Sequence, residues 1–276
     1  MLMENIEIKK LGIIAGSESL PRHVVDAAKK QNIEFVLIGL TGQTSEELYK
    51  DIEYQTFQLH SISKIIKKLN DEGVSHVVFA GRVKRTSISK LLLDVKGAKL
   101  FASIMRNGIN DNSLLTTIVN FFENEGFTVL PAEYIAQDIV VRSGHITKTK
   151  PSKEAWEDIK KGTKILKGIA EFDVGQALVI QEGLVLGVEA AEGTDRLIER
   201  CGGIQQKEEH GAILIKVSKP DQDKRVDLPC IGINTVKELH KNGLIGVAIE
   251  AGSALIIDEK ATVKEADRLG IFIFGI

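Results

Sequence analysis

Five charged side chains, Asp221, Asp223, Lys224, Arg225 and Asp227, fall within seven residues of the stretch SKPDQDKRVDLPCIGINT, which then turns apolar. A carboxylate beside an arginine can meet a phosphate and a metal ion. Arg225 and Asp227 are two apart, so on an extended chain they point the same way. Pro229 biases Leu228 toward that extended form. An ionised Asp227 beside a metal could hold it or orient an attacking water. A plain Arg–Asp ion pair fits the same residues. Asp221 and Asp223 read as solvated turn residues.

A second constellation is VEAAEGTD, Val188 to Asp195. Glu189, Glu192 and Asp195 could hold Mg2+, a hard cation that takes oxygen ligands, while Gly193 and Thr194 bring a phosphate to backbone amides at a helix start. Helix capping by Thr194 or Asp195 is compatible with that reading. Two further loops, AGSESLP from Ala15 and FAGRVKRT from Phe79, each follow an apolar run. Ala15 and Gly16 offer amides near a helix start, and Gly81 and Arg82, with Lys84 and Arg85, suit an anion. An ordinary strand-to-helix turn and a solvated basic loop read the same way.

Other chemistries are disfavoured. Ser17, Glu18 and Ser19 stand where a dinucleotide fingerprint needs glycines. Ser17 does not sit in G-x-S-x-G. The six histidines are scattered, without the spacing of a metalloprotease helix. Cys201 and Cys230 cannot build a disulfide framework or a structural zinc site, and they point to a reducing compartment.

These loops need elements to hold them. Leu11–Ala15, Glu34–Leu40 and Ser75–Gly81 read as strands, with helices from Pro21 to about Lys30 and from Ser61 to Gly73 between them. Such alternation implies a parallel sheet. Helices are also expected before Gly108 and through Asn110–Leu130, which ends in a strand. The alternation breaks between Pro131 and Pro151, where a domain junction is placed. A helix over Lys153–Ala170 follows. Gln181-Glu182-Gly183 then signals a hairpin, and Thr194 starts a helix. The rest reads as strands ending in IFIFGI with a helix among them. The fold class is α/β, with a Rossmann-like parallel-sheet domain over residues 1–132, a mixed α/β domain over 133–276, and a ligand cleft between them.

With 276 residues, 43% hydrophobic and 27% charged, the chain can fill real cores. A net charge of -2 argues against a nucleic-acid binder working by bulk positive charge. The first ten residues hold no long apolar run, so no signal peptide is expected, nor any membrane span.

In order, LGIIAGSESLP, VVFAGRVKR, DVGQALVIQEGLVLGVEAAEGTD, RVDLPCIG and NGLIGVAIEAG resemble the UDP-2,3-diacylglucosamine pyrophosphatases of the alphaproteobacterial type. The resemblance spans nearly the whole chain. It implies Mg2+-dependent hydrolysis of UDP-2,3-diacylglucosamine to UMP and 2,3-diacylglucosamine 1-phosphate (lipid X), with water directed at the α-phosphate, in lipid A synthesis. The family's essential aspartate corresponds to Asp227. Glu189, Glu192, Asp195 and Asp227 become the metal-facing carboxylates. Ala15, Gly16, Gly81, Arg82, Gly193, Thr194 and Arg225 become substrate contacts. The substrate implies weak, peripheral contact with the cytoplasmic face of the inner membrane. A homo-oligomer is compatible with the sequence. A non-catalytic nucleotide-sugar or lipid carrier and a nucleotide-dependent oxidoreductase are the alternatives.

Overall fold

The computed structural model describes residues 6–83, 91–92, 94–108, 111–172, 174–206, 210–219 and 223–276. Lys84, Arg85 and Asp221 lie outside the described residues. By packing the chain divides into two units. One is Met1–Gln137 with Asp223–Asp227, and the other is Asp138–Gln222 with Leu228–Ile276. The division falls a few residues beyond 132, within the Pro131–Pro151 break. The second crossing, at 223–227, carries Asp227 into the first unit.

The first unit holds a parallel sheet of β1 (Leu11–Ala15), β2 (Phe35–Leu40), β3 (Tyr54–Phe57), β4 (His76–Ala80) and β5 (Thr128–Val129), in the order β3-β2-β1-β4-β5. Every residue of β1 is buried, as a central parallel strand requires. Helix α1 (Leu20–Lys30) has Pro21 in its first turn and packs on β1 and β4. Helices α2 (Ile62–Asp71), α3 (Val95–Asn107) and α4 (Asp111–Asn124) share one core with Ile14, Ile38 and Val77. Ser61 stands at the N-cap of α2, yet its side chain makes no cap hydrogen bond. A short helix, α5 (Ala132–Ile135), packs on α1.

The second unit holds a six-stranded mixed sheet. Its strands are β6 (Gly144–His145), β7 (Ala177–Gln181), β8 (Leu184–Val188), β9 (Ile213–Lys216), β11 (Gly246–Ile249) and β13 (Phe272–Gly275), ordered β6-β13-β11-β9-β7-β8. A two-stranded parallel pair, β10 (Cys230–Ile231) and β12 (Leu255–Ile256), lies outside it. The expected hairpin joins β7 to β8. Glu182 and Gly183 have φ of 47° and 76°, the two left-handed residues of a tight two-residue turn. Asp158 accepts the Gly183 amide at 2.6 Å, so the helix beneath, α6 (Lys153–Ile169), fixes the turn.

Strand alternation divides this core in two. Ile213 and Ile215 face α6. Leu214 faces the layer built by α7 (Thr194–Gly202), α8 (Ile233–Lys241) and α9 (Glu259–Leu269). Lys216, two residues beyond Leu214, belongs to that second face.

Candidate functional site

In the first unit the strand order reverses between β1 and β4, and in open α/β sheets ligands meet the carboxyl ends of strands at such a switch. Ala15 and Gly16 leave β1, and Gly81 and Arg82 leave β4, at that place. The two loops are stitched together. Gly16 N donates to the Ala80 carbonyl and Ser17 N to the Arg82 carbonyl, each at 2.8 Å, and Ser17 Oγ adds a third bond to Arg82 O. A Cβ on Gly16 would lie 2.5 Å from the Arg82 carbonyl oxygen, and one on Gly81, at φ +83°, would collide with Ser17 O. Both glycines are there for backbone approach. The Gly16 and Ser17 amides are spent on this contact, against the expectation that the loop presents them to a phosphate. The exposed Arg82 guanidinium lies 3.9 Å from the Glu18 carboxylate.

Residues 223–227 form a turn, where the sequence suggested an extended run. Asp223 organises it. Its carbonyl accepts the amides of Val226 and Asp227 at 3.0 and 3.1 Å, and its carboxylate accepts Arg225 N at 3.1 Å. The same carboxylate takes Arg225 Nε at 2.8 Å and Nη2 at 2.7 Å. Arg225 Nη1 reaches Glu123 of α4 at 2.7 Å, and Val226 packs into the first unit's core. Asp223 is therefore not a solvated turn residue, since its side chain is only 9% exposed. Burial pushes its carboxyl upward, but the hydrogen bonds from Arg225 outweigh burial and hold it below the usual carboxylate range. Arg225, expected as a substrate contact, has its fork committed to Asp223 and a further nitrogen to Glu123. Asp227, half-buried, ends this locked turn.

In the second unit Glu189 follows β8 and is buried. Gly175 lets the neighbouring strand lead come up against it, because a Cβ there would strike the Glu189 backbone. Glu189 Oε2 then accepts Gln176 N at 3.1 Å, and Oε1 accepts the Thr194 hydroxyl at 2.8 Å. Thr194 is the first residue of α7. Gly193 occupies the N-cap at φ 80°, so Thr194 does not cap the helix as expected. Glu192 pairs with Arg200 Nη2 at 2.8 Å. Hydrogen bonds from its own amide and from Arg200 hold its carboxyl below the usual range. Asp195 is exposed on the first turn of α7.

The sequence reading missed Lys216. It is buried at the end of β9 and donates to Thr194 Oγ1 at 3.0 Å and to the Cys230 carbonyl at 3.2 Å. The signal was a single lysine inside the apolar run AILIKV.

A hard divalent cation needs several converging oxygens. Both Glu189 oxygens already accept protein hydrogens, and Glu192 is ion-paired. Among the described residues no group of three or more His, Cys, Asp or Glu forms a metal-holding cluster. Glu189 and Glu192 do not fit the ligand role expected of them. Among the described residues no helix is long and apolar enough to cross a membrane.

A parallel five-stranded sheet in one unit and a mixed six-stranded sheet in the other define a two-domain α/β protein. Residues 10–139 match the LpxI N-terminal domain and residues 142–274 the LpxI C-terminal domain. A curated relative, the UDP-2,3-diacylglucosamine pyrophosphatase LpxI of Caulobacter vibrioides, is 34% identical over 281 residues, covering 98% of each chain. The chain belongs to the LpxI family. Among solved structures, the precorrin-6A reductase CobK gives a TM-score of 0.33 at 14% identity, covering 96% of this chain and 88% of its own. The UDP-N-acetylglucosamine 4-epimerase of Bacillus cereus gives 0.29 at 15%, covering 98% and 75%. Scores this low assign neither fold nor function.

Proposed function

We propose that this protein hydrolyses UDP-2,3-diacylglucosamine to UMP and 2,3-diacylglucosamine 1-phosphate in lipid A synthesis. Family membership along the whole chain, with 34% identity to a curated pyrophosphatase, carries the reading. Its first domain is taken as Rossmann-like, in keeping with the strand order β3-β2-β1-β4-β5. The protein works at the cytoplasmic face of the inner membrane, where a diacylated substrate resides.

In the reaction, water attacks the α-phosphorus, and the bond from that phosphorus to the bridging oxygen breaks. The hydroxyl stays on UMP, and the bridging oxygen leaves with the sugar 1-phosphate. Asp227 is assigned to accepting a hydrogen of the attacking water. Its support is a turn that Asp223 and Arg225 hold rigid, since a group that orients water must itself be fixed. Arg225 serves here to hold the turn. Developing charge on the phosphate oxygens calls for cations and amides; taken each by itself, the first unit offers Arg82 and the second the amides at the start of α7. Mg2+ is expected as a requirement. It would supply further charge neutralisation; of the carboxylates expected to face it, Asp195 is exposed on the first turn of α7 and Asp227 is half-buried.

The test is Mg2+-dependent release of UMP by wild type and Asp227→Ala. Release by the wild type, with a loss of roughly 10²-fold or more in the folded variant, supports the reading. Equal rates in both remove Asp227 from the chemistry. Ligand binding without turnover by the wild type favours a carrier.

A further inference from the structure

Lys216 is 4% exposed, and strand alternation directs it to the face covered by α7 and α8. An ammonium has three hydrogens to place. Two go to neutral oxygens, the Thr194 hydroxyl and the Cys230 carbonyl. Among the described residues no carboxylate lies within 4.0 Å of it. Glu189 balances the charge only at one remove, through Thr194. A buried cation held by neutral groups is costly, and a nearby anion converts that cost into binding.

The protons have a definite order. Thr194 has a single hydroxyl hydrogen, and it is donated to Glu189. Thr194 therefore has none for a phosphate. What remains is the third hydrogen of Lys216 and the first-turn amides of α7, whose N-cap, Gly193, has no side chain to satisfy them. Glu189, fixed by Gln176 N, holds Thr194 in the rotamer that receives Lys216.

We propose that Lys216 and the first turn of α7 hold one phosphate of the substrate, and that Glu189 orients Thr194 and binds no metal. This assignment takes its phosphate from the pyrophosphate reading above and extends it to a residue and a charge.

The test uses the full chain. Inorganic phosphate is titrated calorimetrically, in buffer with EDTA, into wild type, Lys216→Met and Lys216→Gln. Methionine keeps the unbranched apolar stem without the ammonium, while glutamine keeps a donor without the charge. Phosphate affinity should fall about tenfold or more in a folded variant. Unchanged affinity in a folded variant, or no binding by the wild type, overturns the subsite. In parallel, Mg2+ is titrated into wild type and Glu189→Gln. Equal isotherms, including no heat in either, support the role given to Glu189. A loss of roughly 10–100-fold in affinity, the size expected when metal coordination is disturbed, overturns it. A wild type that binds phosphate through Lys216 but releases no UMP would sink the pyrophosphate reading and leave the subsite standing.

Discussion

Asp223 grips Arg225 through both carboxylate oxygens, at 2.8 Å to Nε and 2.7 Å to Nη2, and a side chain two residues back thereby sets the turn that ends in Asp227. This planar fork is geometry that an arginine offers and a lysine does not. Arg225→Ala would leave Asp223 and Glu123 without their partner. It should lower stability by about 2 kcal/mol and kcat by more than it changes KM. Arg225→Lys, which keeps the charge without the fork, should fall between the two. A variant with full kcat and only a raised KM would mark Arg225 as a substrate contact.

The same pair sets a pH dependence. The Asp223 carboxyl lies below its unfolded value, so its contribution is present above about pH 4 and fades as pH falls through the lower folded value. Wild type should therefore exceed Asp223→Asn in melting temperature at pH 7, and the gap should narrow below pH 4. A gap that held constant down to pH 2 would remove the ionised pair as its source.

The stitching of the first unit's two loops makes Gly81 intolerant of a side chain. Gly81→Ala must place a Cβ at φ +83° against the Ser17 carbonyl. A cost of roughly 1–3 kcal/mol is expected from the backbone conformation, with the clash added. Thermal unfolding would register it as a drop of several degrees. An alanine variant melting with the wild type would mean that the loops separate freely.

Thr194 both receives and donates in the second unit's buried relay. Thr194→Val keeps the volume and removes both bonds, leaving Glu189 and Lys216 each short of a partner. A loss of about 1–3 kcal/mol is expected, with Thr194→Ser close to wild type. Chemical denaturation of the two variants side by side measures the difference.

Much of the scaffold was legible because its central strands are short apolar runs bounded by glycine. Leu11–Ala15 matched the strand found, and Phe35–Leu40 and His76–Ala80 fell within the expected runs. β3 escaped notice because Tyr54–Phe57 is an edge strand whose middle two residues are exposed, which erases the apolar signature. α9 was missed because Glu259–Leu269 is polar over most of its surface. The turn at 223–227 was misread for a different reason. Five charges in seven residues look solvated, but Asp223 turns its carboxylate onto Arg225, which itself reaches Glu123 of α4, while Val226 packs into the core. Lys216 was visible as an interruption in AILIKV, but its meaning depended on Thr194 lying 3.0 Å away.

The return of residues 223–227 to the first unit limits where the gene can be cut. A gene truncated near codon 138 would encode the first sheet without its last turn, and the remainder would carry that turn as an orphan. Recombination that shuffles whole modules at a single breakpoint cannot trade either half of such a chain intact. A designer who wishes to exchange one unit whole must splice at three places.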